Sequence, residues 1–179
     1  DAGCGSGVFS RSLIGGGRLV IGLDIDFEAL GKLGRSSVER VCADAHHLPL
    51  RDCSVDFVLS LSLLEHLKYP EKCVEELYRV LKNGGRVVIQ IPNLQYVFEP
   101  HTKWPLLYLL PKAFQSQVFS RLGYSYVNMN VTFKFVLWII QKTGFRMKKV
   151  VKVYHLDIMK PLVVPPAYML IVEKKATTS

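Results

Sequence analysis

The chain has 179 residues, 49% of them hydrophobic. That is about one domain, apolar enough to bury a core, which excludes a disordered polypeptide. Lys and Arg number 23 against 15 Asp and Glu, a net +8; this excess admits an anionic partner without establishing one. The four cysteines, Cys4, Cys42, Cys53 and Cys73, form no C-x-x-C pair and have no histidines at zinc-finger spacing, so neither a disulfide framework nor a metal site is expected, and a reducing cytosol is the default compartment. Apolar runs such as VLWII and PLLYLLP fall short of the roughly 18 residues a membrane-spanning helix needs. A cytoplasmic protein, at most membrane-associated, is the expectation.

The elements alternate along the chain. VFSRSLIGGG reads as a short helix ended by glycines. RLVIGLDID is an apolar run closing in acids, the pattern of a buried strand. FEALGKLGRSS suits a second helix, and VERVCADAHHLPL a strand followed by a loop. VDFVLSLSLLEHL begins as a strand and turns helical near Leu64. PEKCVEELYRVLKNGG is the clearest helix: Pro70 lies in its first turn, Val74, Leu77, Val80 and Leu81 share a face, and Gly84-Gly85 is its expected end. RVVIQIPN is another buried strand. Residues 93–130 break the rhythm with aromatics and prolines; then TFKFVLWIIQKTGF reads as a helix stopped at Gly144, and RMKKVVKVYHL and AYMLIVEKK as closing strands. Strand-helix alternation predicts an α/β domain with a largely parallel, doubly wound sheet.

The segment DAGCGSG opens the chain. Glycines between a strand and a helix let a ligand touch backbone where a Cβ would hold it off, and the helix amino end adds N–H donors. The dinucleotide fingerprint G-x-G-x-x-G fails here, because Val8 stands where its third glycine belongs. No G-K-[ST] is present, which excludes a P-loop. The observed G-x-G-x-G, with Asp1 two residues upstream, fits a nucleoside better than a pyrophosphate. Asp24 ends the next strand, about 20 residues downstream, where an acid meets ribose hydroxyls in nucleotide folds. A carboxylate can accept from two vicinal hydroxyls at once. Asp26 competes for that role, and Asp44, one strand further on, is placed to accept from an exocyclic amine.

On these residues the chain resembles the class I S-adenosylmethionine-dependent methyltransferases, and most of all the group containing the ubiquinone and menaquinone C-methyltransferases and many small-molecule O- and N-methyltransferases. DAGCGSG, VIGLDID, CADAHHLPL, VDFVLSLSLLEHL and ELYRVLKNGGRVVIQIPN carry the likeness. It implies a Rossmann-like sheet and S-adenosyl-L-methionine as cofactor. It also implies that Asp1 and the backbone of Gly3, Cys4, Gly5 and Gly7 surround the methionine moiety. Asp24 would hold the ribose with Ile25 beside the adenine, Asp44 and Ala45 would take the adenine amine, and Leu61 and Ser62 would close over the cofactor. In such a fold a strand at the centre of the sheet precedes the glycine turn, with Asp1 as its last residue; the expectation is a fragment with a slot where that strand belongs. One domain, 1–179, divides into a cofactor half (1–92), a lid over the acceptor (93–130) and closing elements (131–179).

For a hydroxyl acceptor a base is needed; His66, in LLEHL, and His101, in EPHTKWP, are the candidates. His66 has a competing reading as a packing or capping residue. The lid carries Tyr96, Phe98, Trp104, Tyr108, Phe114, Phe119, Tyr124 and Tyr126, suiting a small, hydrophobic, lipid- or quinone-like acceptor methylated at oxygen or carbon. TKWPLLYLLPK, apolar between lysines, suits a peripheral membrane contact or a cap on the domain's own core. Two alternatives stay open. An RNA or protein methyltransferase is encouraged by the charge; nucleic acid is disfavoured because LSLS stands where an N-P-P-Y-type tetrapeptide would sit, and Lys148, Lys149 and Lys152 fall on one strand rather than an RNA-binding module. A non-catalytic cofactor-binding scaffold would show degraded glycines or a lost ribose acid, and this sequence has neither.

Overall fold

The computed structural model describes residues 1–34, 36–93, 111–121, 127–128, 130–153 and 167–176. Along RVVIQIP, Val87, Ile89 and Ile91 are fully buried while Arg86, Val88 and Gln90 alternate toward the other side, the period of two of a pleated strand. This strand, β4 (Leu81–Pro92), pairs in parallel with β3 (Val55–Leu61). On its other side lies β6 (Ala167–Lys174), antiparallel to β4, and outside that β5 (Phe145–Val153), antiparallel to β6. The order is β3-β4-β6-β5. The largely parallel sheet expected from the sequence is therefore mixed: β6 runs back between two strands of the opposite sense.

Two helices lie over the apolar side of this sheet. In α3 (Pro70–Val80), Cys73, Val74, Leu77 and Val80 are buried, and in α5 (Phe133–Thr143), Val136, Ile139 and Ile140 are. They join Val87, Ile89, Leu170 and Val172 in one continuous core. Tyr78 meets Phe145 edge to face at 4.9 Å between centroids. The punctuation of α5 is as read from sequence: the Thr132 hydroxyl accepts from Phe135 N, and Gly144 follows at φ +93°. The end of α3 is not. It stops at Val80, before the glycines, because Leu81 is already extended and pairs with Val55. The buried Lys174 amine donates to the Tyr78 and Leu81 carbonyls, at 2.9 Å each. A cation placed on the last carbonyls of a helix satisfies groups that have no partner within it. The helix expected over FEALGKLGRSS is likewise short, α2 spanning Phe27–Gly31, with Gly34 at φ +60° soon after.

The remaining strands, β1 (Val20–Asp24) and β2 (Val38–Cys42), form a separate parallel pair. Ala2 joins the two sheets: it makes parallel bridges to both Leu23 and Ser60, with its N–H donating to the Leu59 carbonyl at 2.8 Å and Leu23 N donating to the Asp1 carbonyl at 2.9 Å. Between β1 and β3 lies a cavity of about 680 Å³ lined by Ile21, Leu50, Val55, Phe57, Leu77 and Val80 among others. Residues 1 and 2 close its upper end and fix where the glycine turn begins.

After that turn comes α1 (Val8–Ser12). Gly7 is buried at φ +76°, and a Cβ there would run into the Leu33 side chain, itself only 2% exposed. Gly34, also at positive φ, faces open space. Gly7→Ala should therefore lower stability by about 2–4 kcal/mol, strain and overpacking together, and Gly34→Ala by about 1 kcal/mol from strain alone. Thermal unfolding of the two variants checks this; equal melting temperatures would contradict it.

Candidate functional site

The glycine turn is pinned by its own amides. Gly3 N and Cys4 N donate to the Leu23 carbonyl at 2.8 and 3.0 Å, and Gly7 N to the Cys4 carbonyl at 2.8 Å. Gly5 N donates to Asp24 Oδ2 at 2.7 Å. Gly3, Gly5 and Gly7 all have positive φ, backbone that side-chain-bearing residues rarely adopt. A Cβ on Gly3 would press on Leu63, just beyond β3, whereas one on Gly5 would meet nothing within 4 Å. The turn thus rests on β1 and on the β3 exit, and leaves open space over Gly5. At its head, Asp1 Oδ2 accepts from the fully buried Ser10 hydroxyl at 2.6 Å. Ser10, on α1, is a positioning residue that sequence reasoning missed; its place one turn into the helix was the available signal. Burial, reinforced by the charge of Asp24, raises the pKa of the half-buried Cys4 thiol, which keeps it neutral.

The acids at the strand ends separate by role. Asp26 caps α2, its Oδ1 accepting from Glu28 N and Ala29 N. Asp24 faces the turn: Oδ2 takes Gly5 N, and Oδ1 takes Asp26 N at 2.9 Å. Each oxygen keeps a lone pair for a further donor. Of the two acids, Asp26 serves the start of α2 and Asp24 serves the glycine turn. Beside Asp24, Ile25 is 71% exposed, an apolar side chain left standing at the carboxyl end of β1. Phe27, 77% exposed, stands two residues further on and was not anticipated.

The Asp24 carbonyl accepts Ala43 N at 2.9 Å, which seats Asp44 and the buried Ala45 immediately beyond β2. Asp44 Oδ1 receives two donors from His46, its backbone N–H at 2.9 Å and Nδ1 at 2.6 Å. The His46 main-chain N–H, and then its ring hydrogen bond, hold the Asp44 carboxyl below the usual carboxylate range against the opposing effect of partial burial. His46 and His47 belong to the loop that the sequence predicts after β2, and nothing in that prediction gives His46 a partner. The D-x-H spacing, an acid two residues ahead of a ring donor in an Asx turn, was the signal.

At the exit of β3, Leu61 is the last strand residue, and Ser62 holds φ +51°, a strained conformation of the kind that clusters at functional sites. A 3₁₀ turn, Leu64–His66, follows. Leu64 and Glu65 are fully buried and His66 is half-buried. Asn128 lies on this turn: its N–H donates to the Glu65 carbonyl at 2.6 Å, and its Nδ2 to the Leu67 carbonyl at 3.1 Å. Helix α4 (Lys112–Arg121) falls within residues 93–130, with Phe114 exposed. His101, Tyr96, Phe98, Trp104, Tyr108, Tyr124 and Tyr126 lie outside the described residues, as does most of TKWPLLYLLPK. Among the described residues no cluster of His, Cys, Asp or Glu could hold a metal ion. Nor is any helix among them long and apolar enough to cross a membrane.

One end of the fold therefore gathers the glycine turn, Asp24, Asp44 and the β3 exit at the carboxyl ends of parallel strands, where open α/β sheets hold their ligands. Residues 1–89 match the methyltransferase domain family. A probable S-adenosylmethionine-dependent methyltransferase of Mycolicibacterium smegmatis is 39% identical over 111 residues, 59% of this chain and 42% of that protein. A malonyl-[acyl-carrier protein] O-methyltransferase of Hamiltonella defensa is 33% identical over 90 residues, 49% of this chain and 35% of that protein. The matched stretch thus spans less than half the length of either relative. Among solved structures, an S-adenosylmethionine-dependent methyltransferase from Mesorhizobium loti superimposes with a TM-score of 0.77 at 20% identity, covering 97% of this chain and 89% of that one. Residues 1–89 are thus similar in sequence to methyltransferase domains, and nearly the whole chain shares the fold of solved S-adenosylmethionine-dependent methyltransferases.

Proposed function

We propose that the chain carries the cofactor-binding core of an S-adenosylmethionine-dependent methyltransferase. Its acceptor is small and hydrophobic and is methylated at oxygen or carbon, as in the ubiquinone and menaquinone C-methyltransferase group. The observation that supports this reading is the 2.7 Å hydrogen bond from Gly5 N to Asp24 Oδ2, which makes the glycine turn a neighbour of the acid assigned here to the ribose. The residues present suit the cofactor: a Cβ at Gly5 would occupy space that is otherwise open, and the acids that face it are free of helix-capping duty.

When bound, S-adenosylmethionine supplies a methyl group already activated on a sulfonium. The chain's own residues then have mainly to bind and orient, which is worth about 7–11 kcal/mol when alignment is good. Asp1, held by Ser10, presents a carboxylate to the methionine ammonium. Asp24 accepts from the ribose hydroxyls, Ile25 offers apolar surface to the base, and Asp44 with Ala45 takes the exocyclic amine. Leu61 and Ser62 bound the hollow at the exit of β3. A hydroxyl acceptor loses its proton to His66 or to His101; a sufficiently activated carbon needs neither. The aromatic composition of 93–130 supports a hydrophobic acceptor, and the malonyl-[acyl-carrier protein] O-methyltransferase among the relatives supports methylation at oxygen. The lid closes over it and excludes water, and a lipid- or quinone-like acceptor would reach it from a membrane surface by peripheral contact.

Isothermal titration with S-adenosylhomocysteine, followed by tritium transfer from labelled cofactor into lipid extract, quinone precursors and RNA, tests the proposal. Asp24→Ala should weaken S-adenosylhomocysteine binding by about 1–3 kcal/mol, and label should enter the organic-soluble fraction. Binding with transfer to nothing would favour a scaffold; label in RNA would overturn the hydrophobic acceptor.

A further inference from the structure

Asp44 has two carboxylate oxygens, and the structure uses them unequally. Oδ1 takes both His46 donors. Oδ2 accepts from none of the described residues, and the side chain is 47% exposed. An ionised carboxylate only accepts, so Nδ1 of His46 carries the proton and the ring acts as a donor. The ring itself is held: its side chain is 15% exposed and sits edge-on to Tyr69 at 6.2 Å between centroids. Tyr69 stands immediately before α3, with the Lys68 and Lys72 amines each 5.2 Å from its ring centre. Nε2 of His46 is buried with no hydrogen-bond partner among the described residues. A buried nitrogen without a partner is costly, and here the ring accepts that cost while Nδ1 grips the acid. Two donors on one oxygen fix the plane of a carboxylate that would otherwise rotate about its last bond.

We propose that His46 is a positioning residue for base recognition: by occupying Oδ1 of Asp44 from two sides, it fixes Oδ2 as the single oxygen offered to the ligand. That oxygen then accepts from an amino-substituted purine and opposes a purine with a carbonyl at the same position. The inference rests on the adenosyl reading of the site and adds a specificity residue to it. It predicts that base discrimination depends on His46 even though His46 does not touch the base.

The test compares two ligands on each protein by isothermal titration: S-adenosylhomocysteine and its hypoxanthine analogue, in which the exocyclic amine is replaced by a carbonyl oxygen. The full 179-residue chain is used as wild type, His46→Phe and His46→Asn, whose side-chain amide lies near the position of Nδ1. The wild type should prefer the amino ligand about tenfold or more, the scale of a hydrogen bond to a charged group. His46→Phe should lose most of that preference, and His46→Asn should keep it. The ratio of the two affinities is internal to each variant, so a partly unfolded sample does not distort it. Equal weakening of both ligands in His46→Phe, with the ratio intact, would show a merely structural histidine and overturn the proposal. A wild type that discriminates tenfold alongside a His46→Phe that does the same would also overturn it, leaving the adenosyl reading standing. A wild type that binds neither ligand would bring down both.

Discussion

The hydrogen bond between Gly5 N and Asp24 Oδ2 is the constraint on which the working end of this molecule depends. A turn with three glycines at positive φ has no side chains to hold it, and the entropy of ordering it is high. Its amides are therefore fastened to β1, two to the Leu23 carbonyl and one to the Asp24 carboxylate. A charge-assisted bond of this kind is about twice as strong as a neutral one. Asp24 in turn takes Asp26 N, so a single carboxylate sets the turn and the start of the following loop. The same group that shapes the turn is the one proposed to hold the ligand.

The rest of the fold supplies a rigid backing. The fully buried side chains of α3, α5, β4 and β6 form a core that reaches Leu23 of β1 and has Val41 of β2 packed against it. Lys174 fastens the α3 end to β6, and the Arg79 guanidinium ties α3 to the loop after β2 through the Leu48 and Leu50 carbonyls. Glu76 completes that tie. It is held ionised by its hydrogen bond to Arg79, and it accepts Leu48 N at 2.7 Å. The loop that carries Asp44 and His46 is thereby anchored to the most buried helix in the chain. Cys73, inside the same helix, has its thiol pushed up to about 12 by burial, which makes it a packing residue. Positioned polar groups on a stiff scaffold cost little reorganisation when a ligand arrives.

Much of this was legible in the sequence, for identifiable reasons. Strand β4 and helices α3 and α5 announce themselves through hydrophobic period, and Thr132 and Gly144 through capping chemistry. The glycine turn and its acids are legible because spacing along a strand-turn-helix unit translates directly into spatial neighbourhood. Three things were not. The reversed direction of β6 is a matter of long-range pairing, since a buried apolar strand reads the same in either sense. The early end of α3 goes with the pairing of Leu81 to Val55, 26 residues earlier in the chain, and no local rule sees it. Ser10 and His46 act on other side chains rather than on a ligand, so no ligand motif includes them; each needed the geometry of a turn to bring its donor onto an acid. His101 and most of the lid aromatics fall outside the described residues, and the acceptor reading accordingly rests on composition.

The central claim is that the glycine turn, the Asp24 and Asp44 strand ends and the β3 exit form one adenosyl-binding hollow. Amide chemical-shift mapping of the isotopically labelled chain, titrated with S-adenosylhomocysteine, tests it most directly. The account predicts saturable shifts concentrated at residues 3–7, 24–26, 44–46 and 61–63, with β5 and β6 unmoved. Shifts confined to other surfaces, or none at millimolar ligand with the chain folded, would contradict it.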